Sequence, residues 1–221
     1  MKPRGLVIAI DGPSGAGKST AGRALAARLS YTFIDTGAMY RALALKAARS
    51  GADPDDAEAL AALLHAARIE LSEGGRRVLL DGEDVTEAIR TREASVLASR
   101  VSVHPAVRRE MVARQRALGA GGGVVLDGRD IGSAVFPDAD LKFYVDADPR
   151  ERAERRRAEL LASGSAAEIG AIEREIRDRD QADMTRADSP LVRTADAVLV
   201  DTTTLTPEQV LERMLAAVRA T

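Results

Sequence analysis

Residues 6–20, LVIAIDGPSGAGKST, join a short unbroken apolar run to a glycine-rich corner, and AGRALAARL follows at once. The apolar, β-branched run reads as a buried strand, and the alanines, leucines and arginines behind the corner read as a helix. Between them stand Gly12, Pro13, Ser14, Gly15, Ala16, Gly17, Lys18, Ser19 and Thr20, the spacing of a phosphate-binding loop. Successive backbone N–H groups and a helix N-terminus there make an anion nest, and a Cβ at the glycines would keep the backbone from wrapping a phosphate. Lys18 can bridge β- and γ-phosphates, and the Ser19 hydroxyl suits Mg2+ directly or through water. A shuffled chain of this composition would show the pattern roughly three times in a thousand, before its place between strand and helix is counted. The corner reads as a triphosphate-binding loop.

The chain length of 221 residues and the 45% hydrophobic content suffice for a buried core. There is no cysteine, which excludes a disulfide scaffold, a thiolate metal site and a cysteine nucleophile. A net charge of -2 supplies no field for nucleic acid, and 3% aromatic residues leave little for base stacking. No apolar run approaches the roughly 20 residues of a membrane span. The opening MKPRGLVIAIDG runs straight into charge and glycine, so it reads as a strand and not a signal peptide. A cytoplasmic protein is expected, with no nucleic-acid or membrane partner and nothing that requires more than a monomer.

Strand and helix patterns then alternate. YTFID (31–35) reads as a strand, and TGAMYRALALKAARSG (36–51) as a helix that Thr36 can cap and Gly51 ends. AEALAALLHAARI is helical. Residues 69–90 change character, with two strand-like runs around EGG and a second turn at DG, and read as a small β-containing insert. Helical pattern returns from Thr91 to Leu118, interrupted near Pro105. VVLDG (124–128) and LKFYVD (141–146) are two further strands, each followed by a charged turn; arginine-rich helical stretches cover about 149–162 and 167–184, DAVLVD (196–201) is a last strand, and a closing helix follows. The expected fold is α/β: a central parallel sheet of four or five buried strands flanked by helices, with ligands at the strands' carboxyl ends.

A phosphate-binding loop alone does not name a reaction. A switch or motor needs a water-orienting residue beside the γ-phosphate, whereas a kinase of small substrates needs a second anion site. Arginines at 41, 129, 179 and 186, in DTGAMYR, DGRD and RDRDQADMTR, come from separate segments and could surround an acceptor phosphate with bidentate donors. Asp11 and Asp127 end their strands on the phosphate side, where either could orient magnesium waters or the loop, and Asp11 equally suits a turn residue that holds backbone N–H groups. Tyr40 reads as core or pocket wall, and His65 and His104 are not at metal-ligand spacing.

IDGPSGAGKST, DTGAMYRALAL, VLLDGEDVTEAIRT, VLDGRDIGSAVFPDADLKFYVDA and RDRDQADMTRADSPL, in that order, resemble the bacterial cytidylate kinase family over about residues 6–213. The insert also resembles the extended substrate-binding region that distinguishes this family among nucleoside monophosphate kinases. The resemblance implies the P-loop nucleoside monophosphate kinase fold and phosphoryl transfer from ATP, with Mg2+, to CMP or dCMP. It implies one kinase chain with a core at about 1–35, 91–148 and 185–221, a CMP-binding region with insert at about 36–90, and a helical lid at about 150–166.

By the same resemblance, Thr36, Ser99, Arg108 and Asp130 would meet the cytosine ring, with Thr36 standing where relatives often carry serine. Asp183 would meet the ribose hydroxyls with Arg179 close by, and Arg41, Arg129 and Arg186 would hold the acceptor phosphate. Lys18, Arg129 and Arg186 would carry the chemistry, and within the lid Arg152, Arg155 and Arg156 are spaced to reach a phosphoryl group, Arg156 being the expected ATP contact. Cytosine presents an N4 amino donor and an unprotonated N3, to which a carboxylate at Asp130 and a guanidinium at Arg108 are complementary. An adenylate or uridylate/cytidylate kinase, or a nucleotide-binding regulator that transfers nothing, remain the alternatives.

Overall fold

The computed structural model describes residues 5–162 and 168–221. The start of the expected 1–35 core segment and residues 163–166 of the expected lid therefore lie outside the described residues.

Five parallel strands form the central sheet: β1 (Val7–Asp11), β2 (Thr32–Asp35), β6 (Val124–Asp127), β7 (Leu141–Asp146) and β8 (Val198–Asp201), in spatial order β2-β6-β1-β7-β8. The helices are α1 (Lys18–Leu29), α2 (Thr36–Ser50), α3 (Ala57–Ala66), α4 (Arg92–Val101), α5 (Pro105–Gly119), α6 (Pro149–Ala162), α7 (Ile169–Thr185) and α8 (Pro207–Ala220). Strand β1 lies between β6 and β7, and its apolar side chains pack on both faces: Ile8 and Ile10 against Leu25 of α1 and Met214 of α8, Ala9 against Leu126 and Ile131. That two-sided burial explains why LVIAI has no polar alternation. Four of the strands are largely buried; β8 is an edge strand that exposes Val198 and Leu199.

The register places three carboxylates along one edge of the sheet. Asp127 pairs with Ile10 of β1 and Asp35 of β2, and Asp11 is the next residue of β1. All three close their strands at the carboxyl end, the side on which open α/β sheets bind ligands.

The stretch at 69–90 folds as an antiparallel sheet of β3 (Ile69–Ser72), β4 (Arg77–Leu80) and the short β5 (Glu83–Asp84), followed by a 3-10 turn at Ala88–Arg90. Its inner face, Val78, Leu80, Val85 and Ile89, packs on Ala38 and Ala42 of α2. The tip of the β3–β4 hairpin reaches the main sheet. A Cβ on Gly75, whose φ is +75°, would stand 2.5 Å from the Phe33 carbonyl oxygen, and Arg23 of α1 donates to the Gly75 carbonyl at 2.8 Å.

Two local details differ from the sequence reading. Helix α2 is capped by Asp35, not Thr36: the Asp35 carboxylate accepts from the Ala38 N–H at 2.8 Å, while Thr36 is already the first helical residue. A carboxylate one residue earlier answers the orphan N–H groups of the first turn and complements the helix dipole, a contribution of about 1 kcal/mol. The charged turn expected after β6 is a single wide helical turn, Ile131–Val135, in which the Val135 and Phe136 N–H groups reach back five residues to the Asp130 and Ile131 carbonyls. Such wide turns gather at functional sites.

Candidate active site

The donor side is built from backbone. Gly12, Gly15 and Gly17 hold φ values of +142°, +77° and +88°, which L side chains rarely adopt. A Cβ on Gly12 would lie 1.9 Å from the Val145 carbonyl oxygen, so only glycine lets the chain leave β1 past β7. Helix α1 starts at Lys18, aiming its first N–H groups into the loop. Lys18 is buried and its Nζ donates to the Pro13 carbonyl at 2.6 Å. Burial, then the nearby Arg129 guanidinium, lower its pKa to about 7, with Asp127 and Asp183 opposing.

The loop is clamped from outside. Asp180 of α7 accepts from the Ser14 N–H, and Arg152 of α6 pairs with Asp180 while donating to the Ser14 and Ala147 carbonyls. Arg155 donates to the Thr202 carbonyl and hydroxyl, and the Thr202 hydroxyl contacts the Ala16 carbonyl at 3.0 Å. Of the three arginines spaced along the expected lid, Arg152 and Arg155 are therefore engaged with the loop and its supports. Among the described residues Arg156 pairs only with Glu159, at the surface.

Between the two sides, Asp127 is buried and its Oδ2 has no hydrogen-bond partner. Its carboxyl is pushed up by burial first and by Asp35 next, against the pull of Lys18 and a hydrogen bond with Ser19. A buried, donor-starved carboxylate oxygen beside the Ser19 hydroxyl fits the water shell of Mg2+. Among the described residues no group of three or more His, Asp or Glu side chains could hold a metal, so nucleotide oxygens and water would have to complete its coordination.

The acceptor side is built from side chains of α2, α5, α7 and the loops after β6 and α7. Arg108 of α5, 1% exposed, forms a buried ion pair with Asp130 and donates to the Ser102 carbonyl. Arg186 lies 3.5 Å from both Asp130 and Asp183, and Arg129 donates through Nε to Asp183 at 2.9 Å. Arg41 meets Asp35 at 3.2 Å, and the Thr36 hydroxyl donates to the Asp127 carbonyl at 2.7 Å, leaving its oxygen free to accept. Ser99 of α4 is half-buried, and its carbonyl accepts from the Ser102 hydroxyl; it adjoins the pair through Ser102 and touches neither Arg108 nor Asp130 by hydrogen bond. Tyr40 is a wall, its hydroxyl pushed up to about 12 by burial among Arg108, Asp130 and Arg186.

Arg41, Arg108, Arg129, Arg179 and Arg186 converge on Asp35, Asp130 and Asp183, with Arg23 also reaching Asp35 and with Asp127, Asp180 and Asp188 acting on Arg108, Arg129 and Arg179 from close by. Burial and the neighbouring Arg129 push the Arg179 guanidinium down to about 10. Burial also lowers Arg186, with Arg108 adding to the effect. Burial by itself would raise Asp183, yet Arg129, Arg179 and Arg186 together hold its carboxyl below the ordinary range. Buried nitrogens of Arg41, Arg108, Arg179 and Arg186 lack hydrogen-bond partners, which is costly unless an anion or polar ligand supplies them.

A family model for cytidylate kinase matches residues 8–220. The chain belongs to the cytidylate kinase family. Among curated members, the cytidylate kinase of Symbiobacterium thermophilum is 51% identical over 99% of this chain and 98% of its own. That of Geobacillus kaustophilus is 50% identical over 99% and 98%. A shikimate kinase from Acinetobacter baumannii, solved with shikimate, superposes with a TM-score of 0.50 at 15% identity over 98% of this chain and 94% of that one, a likeness of fold. For this member of the family, the sequence reading passed over Asp35, Asp180 and Thr202. Only Asp35 carried a signal, as a capping residue directly before a helix; Asp180 and Thr202 act through contacts 166 and 186 residues away in the chain.

Proposed function

We infer that this chain phosphorylates CMP and dCMP with ATP, giving ADP and CDP or dCDP. The observation that carries the reading is the buried Arg108–Asp130 pair set against a surplus of arginine N–H groups, on the same sheet edge as the phosphate-binding loop. Asp130 can accept from the cytosine N4 amino group and Arg108 can donate to N3. Uracil, with a carbonyl at C4 and a proton on N3, would leave both groups mispaired and desolvated, which makes the discrimination steep. Thr36 and Ser99 complete the base wall, and Asp183 and Arg179 take the ribose hydroxyls.

The acceptor is a phosphate whose second pKa is roughly 6, so near neutral pH it is already a dianion and needs no general base. The unpartnered arginine nitrogens of the cluster suit that dianion. Arg41, Arg129 and Arg186 seat it with bidentate donors and hold it in line with the γ-phosphoryl. Lys18, which now donates to Pro13, turns to the β,γ-oxygens, and the loop N–H groups from Gly12 to Thr20 bind the remaining phosphate charge. Mg2+ would be held by Ser19 and, through water, by Asp127, and when bound it neutralises charge between the β- and γ-phosphates. Two repelling anions are thereby brought together where water is excluded.

On this reading the chain divides into a core at about 1–35, 91–148 and 185–221, a CMP-binding region at about 36–90 and a lid at about 150–166, and of Arg152, Arg155 and Arg156 it is Arg156 that would reach ATP, the other two being engaged with the loop and its supports. All assigned residues come from one chain, so a monomer suffices. Among the described residues no helix is long and apolar enough to cross a membrane, in keeping with a cytoplasmic enzyme that draws on ATP and free nucleotides.

The test is product formation from ATP and Mg2+ with CMP, dCMP, UMP, AMP and GMP in parallel, following ADP and each diphosphate. Rapid CDP and dCDP formation, with slow UMP and inert purines, is expected. Equal rates on CMP and UMP would overturn the base pocket, and ADP release with no second diphosphate would mean an ATPase or a regulator.

A further inference from the structure

Asp11 takes no part in the chemistry above, yet it is buried at a position that the two halves of the site share. Its main chain ends β1 and leads directly into Gly12, the first glycine of the donor loop. Its side chain points the other way. Oδ1 accepts from the Ile131 N–H at 2.8 Å and Oδ2 from the Gly132 N–H at 2.7 Å. Those are the first two amides of the wide turn that follows Arg129 and Asp130.

That turn needs an external hold. Asp130 leaves β-structure at φ -144° and ψ 24°, with no side-chain cap, and its carbonyl receives both the Ala134 and Val135 N–H groups. The first amides of any helical turn have no partner within it, and here Asp11 supplies both. The packing is close from the far side as well: a Cβ on Gly132 would lie 3.0 Å from Lys142 Cδ and 3.3 Å from Asp11 Oδ2. Asp130 and Arg129 then project from a turn whose orientation is set by a carboxylate belonging to the ATP loop's own strand.

We propose that Asp11 is a positioning residue for substrate specificity: by fixing the Ile131–Gly132 amides it aims Asp130 at the acceptor base and Arg129 at the acceptor phosphate, and ties that aim to the seating of the donor loop. The proposal rests on the CMP kinase reading. Burial raises the Asp11 carboxyl to about 6 against the pull of the two amides and Lys18, which marks a group kept for its contacts at a cost. A carboxamide of the same shape offers one acceptor and one donor where two N–H groups need two acceptors, so Asn would leave one buried amide facing another N–H.

The test is Asp11→Asn, with steady-state kinetics on CMP and UMP and calorimetric measurement of ATP binding. We expect the KM for CMP to rise about tenfold or more and the CMP-to-UMP ratio of kcat/KM to fall about tenfold, with the ATP Kd within about twofold of the parent. Equal weakening of ATP and CMP, a fall in kcat or melting temperature with selectivity intact, or no change at all would each overturn the proposal. Gly132→Ala crowds the same contact from the turn and leaves the donor loop untouched; it should lose selectivity likewise, and the double variant should be no worse than the poorer single one. If Asp11→Asn does not fold, Gly132→Ala decides alone, and unchanged selectivity in it overturns the proposal. Parent enzyme that fails to prefer CMP over UMP would instead overturn the activity reading, whatever the variants do.

Discussion

The donor loop and the acceptor cluster face each other across one sheet edge, but they are made differently. Residues 12–20 are contiguous, and their capacity for anions comes from main-chain N–H groups released by glycines at φ +142°, +77° and +88°. The acceptor cluster draws Arg41, Arg108, Arg129, Arg179 and Arg186 from distant segments and binds through side chains that meanwhile pair with Asp35, Asp130 and Asp183. Main-chain donors lose little freedom on binding and read only phosphate. Side-chain donors held by carboxylates can read a base, because each buried group punishes a wrong partner.

Lys18→Ala removes from the donor half the cation proposed to meet the transferring phosphoryl, and should lower kcat by about a thousandfold or more, with CMP binding retained, as single-turnover kinetics and CMP titration would show. Asp130→Ala should break the acceptor half without touching the other: kcat/KM for CMP falls about a hundredfold, ATP affinity stays within about twofold, and the preference for CMP over UMP disappears in competition assays.

The depressed Lys18 pKa separates the halves by pH. In the unliganded protein Lys18 titrates at about 7, and bound triphosphate favours its charged form. ATP binding should therefore take up a proton above about pH 7, and its affinity should fall by up to about tenfold per pH unit from there toward the ordinary lysine range. CMP binding should lack that slope. Calorimetry in two buffers of different ionisation enthalpy measures the proton directly, and uptake absent at pH 8.5 would mean that Lys18 is already charged. Arg156→Ala should have the smallest effect, about two- to threefold on the KM for ATP, since the side chain is half-buried at the surface and pairs with Glu159. A loss as large as that of Lys18→Ala would move Arg156 into the reaction centre.

The same contrast explains what could be read from the chain. The order of strands and helices, the donor loop, the β-containing insert and the Gly51 stop were legible because each depends on neighbours within a few residues: apolar runs, caps, and glycines where the backbone turns left-handed. The arginines were legible as candidates, but in a chain so rich in arginine their type alone could not separate the buried side chains of Arg108 and Arg186 from the half-buried one of Arg156. Asp35 was passed over in favour of Thr36 as the helix cap, since both adjacent residues are able to cap and the backbone decides which one lies outside the helix.

By itself, the sequence determined that this protein folds as an alternating α/β chain, has the spacing of a triphosphate-binding loop at Gly12–Thr20 and carries the residues of its family in order. Tertiary structure alone decided that Asp11 holds the Ile131–Gly132 amides, that Asp180 and Arg152 clamp Ser14, and that Asp127 keeps an unpartnered oxygen beside Ser19. Helix caps and glycine turns are decided by local sterics and hydrogen bonds. A buried carboxylate finds its partners only when strand order brings segments 120 or 166 residues apart to the same edge of the sheet.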